Sequence, residues 1–208
     1  MTKISVKNLE YFGIMDEATN ENHLGCNQEW YVKHWQRTAG CGPTVAAGIV
    51  SYLQKNRGLD KASCLKMMEE MWNHVTPTIR GVNSTGLFCS GLLSYSESKG
   101  IKLIYYSVDV PEKTDVRPPF KSLIEFISSS LINDIPVAFL NLCNGEEKNL
   151  DKWHWVTIAA LEYEDDLSSA YAEILDEGIK KRINLLMWYN TTMLGGGFVS
   201  FYFDDKNH

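Results

Sequence analysis

The sequence lacks the features that would tie it to nucleic acid or to a membrane. Its 208 residues carry a net charge of −6, and they contain no long run of Lys or Arg. Nucleic acids and anionic membranes attract clustered positive charge, so we expect neither as a main partner. No stretch approaches the roughly 20 apolar residues that span a bilayer. Residues 1–7 also lack the apolar core of a signal peptide.

Cysteine is sparse and scattered along the chain. The five cysteines are odd in number and widely scattered: Cys26, Cys41, Cys64, Cys89 and Cys143. This spacing matches neither a zinc site nor a dense disulfide framework. We therefore expect no metal and no cofactor. A reducing, cytoplasmic location is the expectation, with unconventional export left open.

The composition is that of an ordinary globular protein, with 44% hydrophobic and 22% charged residues. We see no internal repeat and no low-complexity tract, and we predict a single domain over 1–208. Helical periodicity fills the first half and strand patterns fill the second, which favours an α+β fold. Within that domain we distinguish an N-terminal extension (1–35), a mainly helical half (36–133) and a mainly β half (134–208).

Individual elements can be predicted from periodicity and from breaker residues. The predicted helices cover 41–55, 61–72, 86–98 and 120–132. The predicted strands cover 11–15, 101–106, 137–142, 153–161, 170–175, 182–189 and 198–203. Residues 20–23 are predicted to be loop, and the proline-rich segment 109–119 is predicted to be a linker.

Cys41 is the candidate nucleophile. It lies in a Gly-Cys-Gly-Pro turn directly before an apolar, small-residue segment, which places the thiol in the first turn of a buried helix. Free backbone N–H groups and the positive end of the helix dipole favour a thiolate there. The alternative is an inert buried cysteine. The flanking glycines favour the nucleophile, because they allow backbone or substrate to approach closely.

His154 is the candidate general base. Of the five histidines, it alone opens an apolar strand, where Trp153 and Trp155 flank it. Such a histidine is oriented and partly buried, and its pKa can place proton transfer near neutral pH. The alternative is a core histidine satisfied by the backbone.

The third member of a triad can be sought by strand register. If the strands on either side of the Asp165-Asp166 turn pair as a hairpin, Asp176 lies opposite His154 and can fix its tautomer. Alternatively, Asp176 only shapes the turn that follows it. Asn190 is the second candidate to orient the imidazole. Gln36 is a candidate donor to an oxyanion, with a water-bonded loop glutamine as the alternative.

The pattern resembles the papain-like cysteine peptidase fold, and within it the bacteriocin-processing peptidases that cleave after double-glycine leaders. The residues that carry the resemblance are Gln36, the Gly40–Pro43 turn, the strand at 136–138, His154-Trp155-Val156 and Asp176. The resemblance implies Cys41 as nucleophile, His154 as base, Asp176 as orienting residue and Gln36 as oxyanion donor. Gln36 precedes Cys41 by five residues, whereas the usual papain-like spacing is six.

The resulting expectation is a cysteine hydrolase that cleaves a peptide or isopeptide amide through a thioester, with a peptide or protein as its substrate. Two alternatives stay open. One is acyl transfer to an amine by the same triad. The other is a peptide-binding protein that keeps the fold without turnover.

Overall fold

The computed structural model describes residues 1–204. Its α-helices are α1 (His34–Ala39), α2 (Cys41–Leu53), α3 (Lys61–Trp72), α4 (Thr85–Ser98), α5 (Phe120–Ile132) and α6 (Leu185–Thr191). Its strands are β1 (Thr2–Ser5), β2 (Gly13–Asp16), β3 (Glu21–Leu24), β4 (Leu59–Asp60), β5 (Leu103–Val110), β6 (Val137–Asn141), β7 (His154–Tyr163), β8 (Ala170–Asp176), β9 (Ile179–Asn184) and β10 (Gly196–Phe203). Short 3₁₀ turns occupy Leu9–Phe12, Gln28–Trp30 and Thr114–Val116.

A seven-stranded antiparallel sheet forms the centre of the molecule. Six strands follow the order β5-β10-β6-β7-β8-β9, and β1 pairs with β7. Strand β6 pairs with residues 154–158 of β7, and β1 pairs with residues 160–163 of the same strand. The N-terminal strand and β6 therefore share one edge of β7. The division at residues 35 and 133 stays a prediction, although β1 and β5 join the strands of the C-terminal half.

Helices cover both faces of this sheet. One buried cluster joins α2, α3 and α4 to Trp155 of β7 and Phe201 of β10. The other joins α5 and α6 to Val156 and Ile158 of β7. Successive side chains of a strand point to opposite faces, so neighbouring residues of β7 enter different clusters. This explains why β7 reads as a continuous apolar run.

Helix α2 is the most deeply buried helix element, since all 13 of its residues are buried. Residues 46–48, two alanines and a glycine, carry little side-chain bulk. Small residues let a helix approach its neighbours closely, and α2 contacts both β6 and β7. The helix is therefore held on the sheet along its length, which fixes the position of its first residue, Cys41.

Two of the predicted elements are wrong. The predicted strand at 182–189 ends at Asn184, whose side chain accepts a hydrogen bond from the N–H of Met187 at 2.9 Å and so starts α6. An asparagine at a helix N-cap outweighs the β-like composition that follows it. The predicted loop at 20–23 is mostly strand, because β3 pairs with β2 in a small second sheet.

The N-terminal segment is tied to α3 by a disulfide between Cys26 and Cys64, whose Cα atoms lie 6.5 Å apart. Disulfides are uncommon in cytosolic proteins. The cysteines therefore give no support to a reducing, cytoplasmic location, which stays a prediction. Within residues 1–204, no helix combines the length and the apolar character needed to cross a membrane.

Candidate active site

Cys41 is the first residue of α2. Gly40 alone separates it from α1, and the first backbone bond of the helix runs from the N–H of Thr44 to the carbonyl of Gly40 at 3.0 Å. Pro43 fits this turn because its missing N–H would have no intrahelical partner. The sulfur thus lies among free N–H groups at the positive end of a 13-residue helix, as the sequence predicted.

The two flanking glycines are required by packing within the chain. A Cβ on Gly40 would lie 2.3 Å from the carbonyl oxygen of Gln36 and 2.7 Å from the ring of Tyr31. A Cβ on Gly42 would lie 2.8 Å from Cγ2 of Val82. The sequence argument that these glycines leave room for a substrate is therefore incomplete, because Tyr31 and Val82 fill that space.

His154 and Asp176 form a short hydrogen bond of 2.7 Å between Nε2 and Oδ1. Their strands are not in the predicted register, because Thr157 pairs with Leu175 and Ile158 with Ile174. Continuing this register places Asp176 opposite Val156. Val156 lies two residues after His154 on β7, and its side chain points to the same face of the sheet. The two side chains are therefore diagonal neighbours on one face of the sheet, which still lets them touch.

Asp176 also closes a tight hairpin turn. It pairs with Ile179 across Glu177 and Gly178, which have φ values of +53° and +79°. Two consecutive left-handed residues define the type I′ turn that suits the twist of paired strands. The two interpretations of Asp176 from the sequence, as a turn residue and as the partner of His154, therefore each describe part of its environment. Its backbone begins the turn, and its carboxylate forms a hydrogen bond with His154.

Lys181 forms an ion pair of 2.8 Å with the second oxygen of Asp176. Sequence reasoning missed this residue, although the turn contained the signal. In the hairpin set by Glu177-Gly178, Lys181 is the diagonal neighbour of Asp176 on the next strand. Both oxygens of the buried carboxylate therefore have a partner.

The N-terminal segment holds this hairpin turn in place. The N–H of Leu24 donates to the carbonyl of Gly178 at 2.7 Å, and the side-chain amide of Asn27 donates to the carbonyl of Glu177 at 2.9 Å. These bonds link residues 150 or more positions apart, so no local pattern signals them. The segment thus supports the carboxylate that contacts His154.

The charges of the site stabilise an imidazolium. Burial opposes a positive charge on His154, but hydrogen bonds to Asp176 and Cys41, with their attraction, raise its pKa to about 10. For Asp176, burial opposes the charged form. The hydrogen bond and attraction of His154, with the ion pair to Lys181, nonetheless lower the pKa of this carboxyl. Since Nε2 is occupied by Asp176, Nδ1 is the nitrogen left to face the sulfur of Cys41.

Among residues 1–204, no hydrogen bond joins either of the other two candidates, Gln36 and Asn190, to Cys41, His154 or Asp176. Gln36 is buried in α1 and lines a cavity with Val32, Lys33 and Glu69, a cavity that Cys41 does not line. Its role as oxyanion donor stays a prediction. Asn190 is exposed on α6, and the carboxylate bonded to His154 is that of Asp176.

A groove of about 580 Å³ opens beside Cys41. Its walls are mostly apolar and are lined by Trp35, Thr38, Ala39, Cys41, Ile79, Arg80, Gly81 and Trp153. A separate cavity of about 20 Å³ is lined by Cys41, His154 and Asp176, among others. Cys41 is the residue that lines both spaces, so an acyl group in the groove can approach the sulfur that also faces the cavity lined by His154.

Trp153 has a strained backbone at this wall. Its φ is +57°, a region that large side chains rarely adopt. Its carbonyl oxygen lies 4.0 Å from the sulfur of Cys41, and its indole is half exposed at the groove. Trp153 directly precedes His154, the first residue of β7. Among residues 1–204, no group of three or more His, Cys, Asp or Glu side chains is arranged to hold a metal ion.

No protein-family model matches this chain, and no curated protein sequence matches it. Among solved structures, the fold is similar to that in the crystal structure of UfSP from C. elegans, with a TM-score of 0.52 and 12% sequence identity. The match covers 96% of this chain and 34% of the other, so this chain spans about a third of the length of that protein. The likeness confirms the predicted α+β, papain-like fold.

Proposed function

We propose that this protein is a cysteine hydrolase that cleaves a peptide or isopeptide amide through a thioester intermediate. The observation that carries the proposal is the order of three groups: the sulfur of Cys41 at the start of α2, the imidazole of His154 beside it, and Asp176 bonded 2.7 Å away on Nε2. The papain-like fold supports the same chemistry class. The finer resemblance to bacteriocin-processing peptidases stays a hypothesis.

In the first step the thiolate of Cys41 attacks the carbonyl carbon of the amide, and the C–S bond forms as the carbonyl oxygen takes up negative charge. The imidazolium of His154 then gives its Nδ1 proton to the amide nitrogen, the C–N bond breaks, and an amine leaves. The raised pKa of His154 keeps that proton available at neutral pH. Asp176 holds the ring orientation throughout.

In the second step water attacks the thioester. Neutral His154 accepts a proton from the water as the C–O bond forms, and the C–S bond then breaks to release the acid and restore the thiolate. We expect the backbone N–H of Cys41 to donate to the oxyanion. Cys41 is the first residue of α2, and the N–H groups at the N-terminal end of a helix lack helical partners. If an amine enters the groove instead of water, the same intermediate gives acyl transfer.

The proposal is tested with a peptide library derived from a whole proteome, whose cleavage products are identified by mass spectrometry. We expect new termini with the natural protein, none with Cys41→Ala, and full activity with the matched Cys89→Ala variant. Cys89 is a suitable control because burial, with the nearby charge of Asp109, raises the pKa of its thiol to about 12. Cleavage that persists in Cys41→Ala would overturn the proposal.

A further inference from the structure

The groove beside Cys41 contains one charged side chain, that of Arg80. The chain has five arginines, and four of them have described partners. Arg37 and Arg117 donate to backbone carbonyls, and Arg57 and Arg182 pair with carboxylates. Among residues 1–204, the Arg80 guanidinium alone of these five forms no ion pair and no hydrogen bond. An unpaired guanidinium in an otherwise apolar groove is free to form charge-assisted hydrogen bonds to a carboxylate.

The segment that carries Arg80 is a closed turn. Thr78 and Gly81 exchange two backbone hydrogen bonds, of 3.0 and 3.1 Å, and the hydroxyl of Thr78 adds a third to the Gly81 carbonyl at 2.9 Å. Gly81 has a φ of +69°, which suits a glycine. Ile79 and Arg80 are therefore presented at the tip of a turn whose backbone bonds are satisfied.

This turn is fixed directly to the catalytic helix. The residue after it, Val82, packs on Gly42 of α2, and its carbonyl accepts a hydrogen bond from the indole of Trp155 at 2.6 Å. Trp155 follows His154 on β7. The backbone of the turn is thus held against both elements that carry the proposed nucleophile and base, so the turn itself need not be ordered when a substrate binds there.

The rest of the groove offers apolar surface. Ile79 is 93% exposed, and Trp35 and Trp153 are each about half exposed. Three large apolar side chains around one groove form a patch that suits an aromatic or large aliphatic side chain. The groove therefore combines a wall for an apolar group with one cation for an acidic group.

We propose that Arg80 is a specificity residue, and that the substrate is a peptide with an apolar side chain in the groove and a carboxylate within about two residues of it. This inference rests on the proposed function and narrows its substrate class. Two sources supply the carboxylate: an Asp or Glu side chain, or the free C-terminus of the peptide. The net charge of −6 gives the protein no general attraction for acidic peptides, so the preference depends on Arg80.

The test measures binding to the Cys41→Ala protein, so that it does not depend on turnover. The probes are N-acetylated peptide amides of sequence Gly-Phe-Gly-Glu-Gly, with Gln and Lys counterparts, and the shorter N-acetylated peptide Gly-Phe-Gly-Gln with a free C-terminus, whose carboxylate is also two residues from Phe. Shifts of the indole N–H signals of Trp35 and Trp153 in ¹⁵N spectra report binding in the groove. We expect one of the two carboxylate peptides to bind about fivefold more tightly than the neutral amide.

Substitutions at Arg80 decide the assignment. We expect Arg80→Ala to remove the preference for the carboxylate, and Arg80→Glu to favour the Lys peptide. Arg57→Ala removes an equal charge outside the groove and should leave the preference intact. Equal binding of all the peptides, a preference that survives Arg80→Ala, or the absence of shifts at both indoles would overturn the inference. If the peptides bind as expected but the natural protein cleaves nothing, the proposed function fails and the subsite stands.

Discussion

Nε2 of His154 lies 2.7 Å from Oδ1 of Asp176, although the two residues are diagonal and not opposite in the β7–β8 ladder. Asp176 is the last residue of β8 and directly precedes a two-residue turn. From this position its carboxylate reaches the imidazole. Lys181 holds its other oxygen at 2.8 Å. One ring nitrogen of His154 is thereby fixed, and the other is left for the sulfur of Cys41.

Loss of the carboxylate should therefore reduce activity strongly. In Asp176→Asn we expect kcat/KM to fall by about 10²-fold or more, because the imidazole loses both its orientation and the charge that stabilises its protonated form. The measurement is hydrolysis of a peptide identified in the library experiment. Asp115→Asn, an exposed aspartate outside the site, is the matched control and should keep full activity.

The pH dependence should follow the ionisation of His154. Its pKa is raised, so the stability that its charge contributes is complete below the ordinary histidine value of about 6.5 and is lost as pH rises through about 10. Proton donation to the leaving amine should decline over the same alkaline range. A pH–rate profile with an alkaline limb near 7 would contradict this assignment. In Asp176→Asn the limb should move to lower pH.

The ion pair of Lys181 should matter less than the bond to His154. Lys181 lowers the pKa of Asp176, so in Lys181→Met the carboxyl should protonate at higher pH, and stability should be lost earlier on acidification. We expect unfolding in urea to show about 1 kcal/mol less stability at pH 7. Lys180→Met is the matched control, since Lys180 is the preceding residue and pairs with Glu173. Equal effects of the two variants would contradict the role given to Lys181.

The close packing of Gly42 on Val82 should appear as a coupling between the two positions. Gly42→Ala places a methyl group 2.8 Å from Cγ2 of Val82 and should cost about 1–3 kcal/mol in unfolding free energy. Val82→Ala should recover part of that cost in the double variant, because it removes Cγ2, the atom of closest contact, and leaves Cβ at 3.0 Å. Additive effects in the double-mutant cycle would show that the two residues do not meet.

The Cys26–Cys64 disulfide should be detectable by thiol counting. In denatured, unreduced protein we expect three free thiols, those of Cys41, Cys89 and Cys143, and five after reduction. The double variant Cys26→Ser, Cys64→Ser should be less stable by about 3–4 kcal/mol, the value for a loop of this length in the chain-entropy description. Five free thiols before reduction would contradict the bridge.

Much of the fold could be predicted because its signals are local. Helices α3 and α5 have the predicted bounds, since their apolar spacing ends at breaker residues. The placement of Cys41 was predicted from a single turn. Residues 185–189 were mispredicted because their composition suits a strand, and the deciding signal is one N-cap side chain, that of Asn184.

The rest of the site depends on contacts between distant parts of the chain. The support of the Glu177-Gly178 turn by Leu24 and Asn27 could not be predicted, because no periodicity connects those segments. The predicted register of β7 and β8 was wrong by two positions. The acidic loop does not set this register alone, because a β-bulge between Ile158 and Ala160 shifts the pairing along the two strands. The parity of the register was right, and parity decides which face carries His154 and Asp176.

The central claim is that the sulfur of Cys41 and the imidazole of His154 act together as one catalytic pair. The most direct measurement is the rate of iodoacetamide labelling against pH, with peptide mapping, in the natural protein and in His154→Ala.

Cys143 is the internal reference. Burial opposes its ionisation, but backbone N–H groups of Met193, Gly145 and Leu194 still lower the pKa of its thiol. Low-pH labelling by itself is therefore not diagnostic. We predict that His154→Ala abolishes the labelling of Cys41 while leaving that of Cys143 unchanged. Labelling of Cys41 that is independent of His154 would contradict the account.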